Sequence, residues 1–404
     1  MGGTPGEDLA GKQVVYGITG GIAAYKAPLI VRGLKSLGID VQVAMTDAAQ
    51  YFVTPTTLQT LAGRPVYREL FPDMSPSAFE VEHIGLADRA DLVLIAPATA
   101  DFIAKMAHGI ADDLLSCIAL ATKAPVLVCP SMNVNMYLHP ATRENLDILQ
   151  RRGVSVLEPA SGELACGWEG AGRLPEPERI VAESKKILYQ KDLAGISLLV
   201  TCGPTCEDID PVRFITNRST GKMGAALVEA AGLRGARVKV VSGPVNRKYA
   251  PWADVIMVRS AGQMLDAVRD NLSGADVLVM AAAVADYVPE TCRGSKIKKG
   301  DKLTSLALKS SPDILSTVRP MKDDKFFVGF AAETDNLSDS ARRKLVSKGL
   351  DMIVANRVGE SGTGFGSDTN SGLILSEAGV LDHFEQVEKE VLAHRILDLI
   401  RERV

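Results

Sequence analysis

Short apolar runs recur along the chain, each followed by a glycine or proline turn and then by a stretch whose apolar positions return every three or four residues. That alternation of buried strand, turn and amphipathic helix predicts βα units over a parallel sheet. From Gln13, QVVYGITGGIAAYKAPLIVRGLKSLGIDVQVAMT gives strand, Gly turn, a helix over about 23–37 and a second strand. Apolar runs at 91–100, 124–137 and 154–159 predict further strands, and an amphipathic helix over about 177–190 closes this half. The pattern then restarts, with strands at 196–201, 237–242, 254–258, 276–282, 325–330 and 351–355 and helices at about 221–234, 261–272 and 338–349. A hairpin over 364–379 and a C-terminal amphipathic helix complete it. The expected fold class is α/β, two tandem doubly wound domains over 1–189 and 190–404, the first flavodoxin-like or Rossmann-like and the second Rossmann-like.

Length agrees with this division, because 404 residues exceed what one core usually covers. The formal net charge of −4 includes no dense Lys/Arg face, so neither nucleic acid nor a membrane surface is an expected partner. No window reaches the ~18 apolar residues of a spanning helix, and the N-terminus lacks a signal-peptide core, so a cytoplasmic protein is expected. The six cysteines, Cys117, Cys129, Cys166, Cys202, Cys206 and Cys292, form no paired framework and read as free thiols.

Candidate chemistry gathers at strand ends. Gly20 and Gly21 let a ligand approach the backbone ahead of a helix N-terminus, with Ile22 opening the next turn. The fingerprint G-x-G-x-x-G is absent, and Thr46 rather than an acid closes the second strand, which favours a flavin mononucleotide over NAD. A tight βα turn without ligand is the alternative reading. Ala98, Thr99 and Ala100 of the Pro-Ala-Thr-Ala turn, and Asn133, fall on the same sheet edge. The Gly-rich segment 161–180 around Cys166 lacks strand or helix patterning and reads as a mobile flap whose thiol closes over a substrate. His83 is either a base or a helix-cap histidine. In the second half, lysines gather on loops at strand ends, as a triphosphate nucleotide requires, and Asp286 is a candidate ligand for Mg²⁺. Gly221 and Gly224 open a helix, but GKMG is no Walker loop, and Lys222 alone reads as a solvated surface charge.

GITGGIAAYK, His83 before LADRADLVLIAPATAD, PSMNVNMY and GELACGWEGAGR closely resemble the FMN-dependent phosphopantothenoylcysteine decarboxylases. DPVRFITNRSTGKMG, AAAVADY, KIKK and GFAAET resemble the CTP-dependent bacterial phosphopantothenate–cysteine ligases, and the two in this order resemble the bifunctional proteins of coenzyme A biosynthesis. The resemblance implies that CTP, with Mg²⁺, activates the carboxylate of 4′-phosphopantothenate as an acyl-cytidylate, and that cysteine then displaces CMP. It assigns Asn217 to that intermediate, with Arg213 nearby and Lys296 in the nucleotide loop. Nucleotide contacts are expected from Ala281, Ala282, Asp286, Pro312, Asp313, Ile314, Leu315, Phe330, Lys344 and Lys348. In the first half it makes His83 the base of an oxidative step, Asn133 the binder of the substrate carboxylate and Cys166 the proton donor that completes reduction, with no net redox change and no NAD. It further implies a homo-oligomer built from decarboxylase trimers and ligase dimers. Thr216 and Arg218 flank Asn217 where some relatives carry Ser and His. Two competing readings are another flavin-dependent decarboxylase of the same fold, which leaves 196–404 idle, and a non-catalytic flavoprotein subunit, which should lack Cys166 or Asn133.

Overall fold

The computed structural model describes residues 9–70, 82–163, 169–250, 252–298, 305–333, 336–358 and 366–404. They fall into two compact units, one ending at Tyr189 and the other beginning at Gln190.

In the first unit the sheet strands are β1 (Gln13–Ile18), β2 (Asp40–Met45), β3 (Val66–Tyr67), β4 (Leu92–Ala98), β5 (Val126–Pro130) and β6 (Ser155–Val156). The helices are α1 (Ala27–Ser36), α2 (Pro55–Ala62), α3 (Glu82–Arg89), α4 (Ala100–His108), α5 (Leu114–Ala121), α6 (Val134–Leu138), α7 (Pro140–Arg151) and α8 (Pro177–Leu188). All six strands are parallel, in the order β3-β2-β1-β4-β5-β6. Every residue of β4 is buried, which is why its apolar run does not alternate. On one face Val15, Val93, Ile95 and Val128 pack against Leu86, Phe102, Leu115 and Leu146 of the helices. The order reverses between β1 and β4, so the loops leaving their carboxyl ends diverge and open a crevice there.

The second unit repeats the architecture with different sequence. Its main sheet runs β13 (Asp254–Met257), β12 (Arg237–Ser242), β9 (Ser197–Cys202), β14 (Val277–Met280), β17 (Phe326–Glu333), β18 (Met352–Arg357), β19 (Thr369–Ser376) and β20 (Gly379–Glu388). It is parallel through β18 and antiparallel beyond. The helices are α9 (Lys222–Leu233), α10 (Ala261–Asn271), α11 (Ile314–Val318), α12 (Leu337–Lys348) and α13 (Lys389–Arg401). Strand residues alternate between the two faces, Val200 and Val240 toward α9 and α13, Leu199 and Val241 toward α10 and α12. Short ribbons β10 (Cys206–Asp208) with β11 (Phe214–Thr216), and β15 (Tyr287–Pro289) with β16 (Leu308–Ser310), stand outside the sheet.

Four elements differ from the sequence expectation. The helix expected over 23–37 is a 3₁₀ turn at Ile22–Lys26 followed by α1, whose first turn contains Pro28. The apolar run 124–137 is strand only through Pro130, because Asn133 caps a new helix. The Gly-rich segment after 160 is an ordered hairpin in its arms, β7 (Ala160–Glu163) against β8 (Glu169–Arg173), since backbone pairing needs no apolar alternation. The C-terminal hairpin spans 369–388 rather than 364–379, because β20 is a largely exposed edge strand without an apolar period.

Candidate active sites

In the first unit the carboxyl ends of β1, β2 and β4 are fastened into one cradle. The Thr19 hydroxyl donates to Pro97 O at 2.7 Å and accepts from Thr99 N at 3.0 Å. Thr99 then caps α4, its Oγ1 accepting from Phe102 N at 3.3 Å, which places Ala98 and Ala100 on either side of the turn. Thr46 N donates to Ile18 O at 3.1 Å. A Cβ on Gly20 would stand 2.3 Å from the Ala48 Cβ, so only glycine lets the turns after β1 and β2 close together. The α3 helix runs back against the strand direction to feed β4, so His83 in its first turn lies at this same edge.

Two buried polar atoms at this edge, Thr46 Oγ1 and His83 Nδ1, have no hydrogen-bond partner among the described residues. An orphaned buried polar group costs about 1–3 kcal/mol, so the cradle is chemically incomplete by itself. A flavin phosphate and ring, rich in acceptors, fit a hydroxyl donor, a ring nitrogen and the amides around Gly20 and Gly21. Asn133 caps α6, its Oδ1 accepting from Asn135 N at 2.8 Å. The flap hairpin is registered on this turn: Met132 N donates to Gly172 O at 2.9 Å. A side chain at Gly172 (φ +148°) would stand 2.3 Å from Met132 O. Cys166 itself lies outside the described residues.

In the second unit a cavity of about 500 Å³ opens where the strand order reverses between β9 and β14. The expected residues Asn217, Ala281, Ala282, Asp286, Phe330 and Lys344 all line it. Asn217 donates from Nδ2 to both Ala283 O and Val284 O, each at 3.1 Å, so its amide is clamped to the loop that leaves β14. Behind that wall, Thr201 Oγ1 accepts from Ala282 N at 3.1 Å and Thr205 Oγ1 from Ala285 N at 3.0 Å. Gly221, at φ +72°, starts α9, and a Cβ on Gly224 would fall 2.6 Å from Cys202 Sγ. The buried Cys202 thiol, pushed up by burial, donates to Gly221 O at 3.2 Å and holds that helix start against β9.

Three findings depart from the sequence reading. Lys222 is not a plain surface charge: it lines the cavity and donates to Gly366 O at 2.8 Å and Asp368 Oδ1 at 2.6 Å. Lys389, Asn356 and Asn370 also line it and carried no local motif. Lys389 is only 7% exposed, and burial, reinforced by the Lys222 charge, pushes its ammonium pKa down. By contrast, Arg213, Lys296, Pro312, Asp313, Ile314, Leu315 and Lys348 are not in the described lining. Asp313 caps α11 through Ser316 N at 3.1 Å and accepts from Lys348. Burial alone would raise the Asp313 carboxyl, but the Lys348 ammonium and the Ser316 donors bring it below its ordinary value. Lys344 pairs with Glu333 at 2.7 Å. Among the described residues no cluster of three His, Cys or acidic side chains is placed to hold a metal, and no helix is long and apolar enough to cross a membrane.

Comparison with known proteins is consistent along the chain. Residues 3–188 match the family model described as Flavoprotein, and residues 193–404 the one described as DNA/pantothenate metabolism flavoprotein C-terminal domain. The Coenzyme A biosynthesis bifunctional protein CoaBC of Bacillus subtilis is 46% identical over 375 residues, covering 92% of each chain. That of Escherichia coli is 45% identical over 399 residues, covering 97% of each. A crystal structure of the C-terminal domain of a CoaBC protein superposes with a TM-score of 0.46 at 38% identity, covering 53% of this chain and 97% of its own.

Proposed function

From the premise that this chain belongs to the bifunctional coenzyme A biosynthesis proteins and is both a ligase and a decarboxylase, we propose that residues 190–404 join 4′-phosphopantothenate to cysteine at the expense of CTP, and that residues 1–189 decarboxylate the product with FMN. What carries the ligase reading is the clamped Asn217 amide in a cavity that also presents Lys222, Lys344, Lys389 and Asp286.

A free carboxylate is a poor acyl donor, so it must first attack the α-phosphate of CTP and release pyrophosphate. The lysines draw the polyanion in as point charges, and Asp286 would be the protein's one carboxylate ligand to a Mg²⁺ that arrives with the nucleotide and neutralises its charge. With its Nδ2 committed to two carbonyls, Asn217 presents Oδ1 in a fixed direction toward the acyl-cytidylate. The nucleotide-contacting roles of Ala281, Ala282, Phe330, Lys344 and Lys348, and of the 312–315 turn, follow from the family pattern. The cysteine amine then displaces CMP to form the amide; the family pattern puts Arg213 near Asn217 in this chemistry and Lys296 in the nucleotide loop.

In the decarboxylase, bound FMN supplies the two-electron oxidation of the substrate's thiol-bearing carbon and its later reversal. Thr46 and the amides of Gly20 and Ile22 would hold the phosphate, with Gly21, whose own N–H donates to Thr19 O at 2.9 Å, and Ala98, Thr99 and Ala100 beside it. His83, whose Nδ1 has no hydrogen-bond partner among the described residues, takes the proton in the oxidative step. Asn133 orients the carboxylate that leaves as CO₂, and Cys166 returns a proton to the enethiol. The family pattern of decarboxylase trimers and ligase dimers makes the working form a homo-oligomer in the cytoplasm.

Substituting Asn217→Asp tests the ligase assignment, because a carboxylate facing two carbonyl oxygens repels them and loses both bonds. At about 1 kcal/mol or more per bond, plus the repulsion, ligation should fall by roughly 100-fold or more. Decarboxylation of supplied phosphopantothenoylcysteine by the same polypeptide should be unchanged. Ligation at the parent rate would remove Asn217 from the reaction.

A further inference from the structure

Arg213 and Lys296 stand off the cavity wall, on two loops far apart in sequence, yet one side chain that no motif singled out ties those loops together. The Asp210 carboxylate is fully withdrawn from solvent. Its Oδ1 accepts from Val212 N at 2.7 Å and Arg213 N at 2.8 Å. Its Oδ2 accepts from Arg213 Nη1 at 2.9 Å and from Ile297 N at 3.1 Å. Arg213 Nη1 also donates to Ile297 O at 3.3 Å, so Ile297 is gripped at both its N–H and its carbonyl. Arg293 N donates to Ile209 O at 3.0 Å, a further tie between the same loops.

The chemistry of this arrangement is one-sided. A buried carboxylate is stable only when its lone pairs are filled, and here three backbone N–H groups and a guanidinium fill them. The donors come from both loops, so neither can move without leaving part of a buried charge uncompensated. Ile297 is 5% exposed while Lys296 and Lys298 are exposed on either side of it, so the buried residue is the anchor and Lys296 projects from a held peptide.

We propose that Asp210 is a positioning residue of the ligase: it holds the Arg213 loop and the Lys296 loop as one body, so that both cationic side chains reach the reacting groups from a shared base. This rests on the reading that Arg213 and Lys296 serve the ligase. Asp210 does not line the cavity, so its effect on rate is carried by the loops.

The test uses full-length protein with Asp210→Asn, Ile297→Pro and their combination, with Lys296→Ala alongside. The amide of Asp210→Asn turns a donor toward N–H groups on one side, and Ile297→Pro deletes the N–H that joins the second loop, together with the buried Ile side chain and the backbone freedom at 296–297. Each single variant should lower ligase kcat about tenfold or more while decarboxylation is kept, and the double variant should lie within about threefold of the worse single one, because both break the same link. Hydrogen exchange should quicken in the 209–213 and 293–298 segments and stay slow in β9 and β14, which a general unfolding of the unit would not do. Unchanged ligase rates, unchanged exchange at 293–298 after Asp210→Asn, or losses that multiply in the double variant would overturn the proposal. A Lys296→Ala variant at the parent rate would instead remove Lys296 from the ligase step; loop loosening with ligase loss in Asp210→Asn then leaves Arg213 as the group being positioned.

Discussion

At the scale of single residues, the two orphaned atoms in the first unit make opposite demands on the free and the loaded protein. Thr46→Val removes a buried hydroxyl that has no partner, so the flavin-free protein should melt at the same temperature or higher. The same change should weaken FMN binding about tenfold, read by quenching of flavin fluorescence. Equal affinity would mean that Thr46 does not touch the phosphate. In the second unit Lys389 offers a pH test. Its depressed pKa means the charge is lost, as pH rises, before the ordinary lysine value of about 10.4. The ligase KM for its anionic substrates should therefore climb on the alkaline side, and Lys389→Met should raise KM at neutral pH and abolish that climb. Lys389 was invisible in the sequence for a physical reason: it follows the last strand, more than 160 positions beyond Lys222 in the chain, and only the folded sheet brings the two to one cavity. Gly20, Thr46 and Thr99 were legible because each sits after an apolar strand, where the fold forces residues to a common edge, whereas Asn217 follows the exposed ribbon strand β11 and was reached only through the family resemblance.

At the scale of elements, what decides the sites is how turns pack against one another. Two glycines make a matched pair of tests. Gly224→Ala drives a methyl toward the Cys202 thiol, and Gly172→Ala drives one toward the Met132 carbonyl. Overpacking of this kind costs typically about 1–3 kcal/mol, but the outcomes should differ. Cys202→Ala should restore much of the ligase rate and thermal stability lost in Gly224→Ala, because a side chain is what the methyl meets. No side-chain change relieves Gly172→Ala, where the obstacle is backbone, and decarboxylase activity should stay low. Rescue of neither or both would contradict these contacts. The hairpin carrying Gly172 was also the element least readable from sequence: Gly162 faces Gly170 in its ladder, Gly172 falls at its register shift, and none of the three gives an apolar signal, whereas β4 announces itself by seven buried residues in a row.

At the scale of the whole chain, the restart near residue 196 is real in architecture, since each unit has its own sheet, core and switch point. The second unit closes on itself through charge. Asp192, near its start, accepts from Arg234 at 2.6 and 2.8 Å and from Arg401 near its end, and Arg234 also pairs with Asp398 at 2.8 Å. Burial would raise the Asp192 carboxyl, but the arginines outweigh it and hold it below the usual value. A depressed carboxylate pKa contributes stability that is present above the unfolded value of about 3.9 and lost as pH falls through the folded one. The melting temperature of this unit should be flat above about pH 5 and drop below about pH 4, and Asp192→Asn should lower the plateau and flatten the drop. A variant with the parent's profile would show that the cluster is not what closes the unit.

The central claim is that one polypeptide makes an amide with CTP and then removes CO₂ from the product with FMN. It is tested most directly by supplying purified full-length protein with 4′-phosphopantothenate, cysteine, Mg²⁺ and CTP, and following pyrophosphate and CO₂ together. The protein should be yellow and should release pyrophosphate first and CO₂ after a lag, in equal final amounts, with neither released when CTP is omitted. CO₂ released from those substrates without CTP, or pyrophosphate without any CO₂ from a flavin-loaded preparation, would contradict the claim.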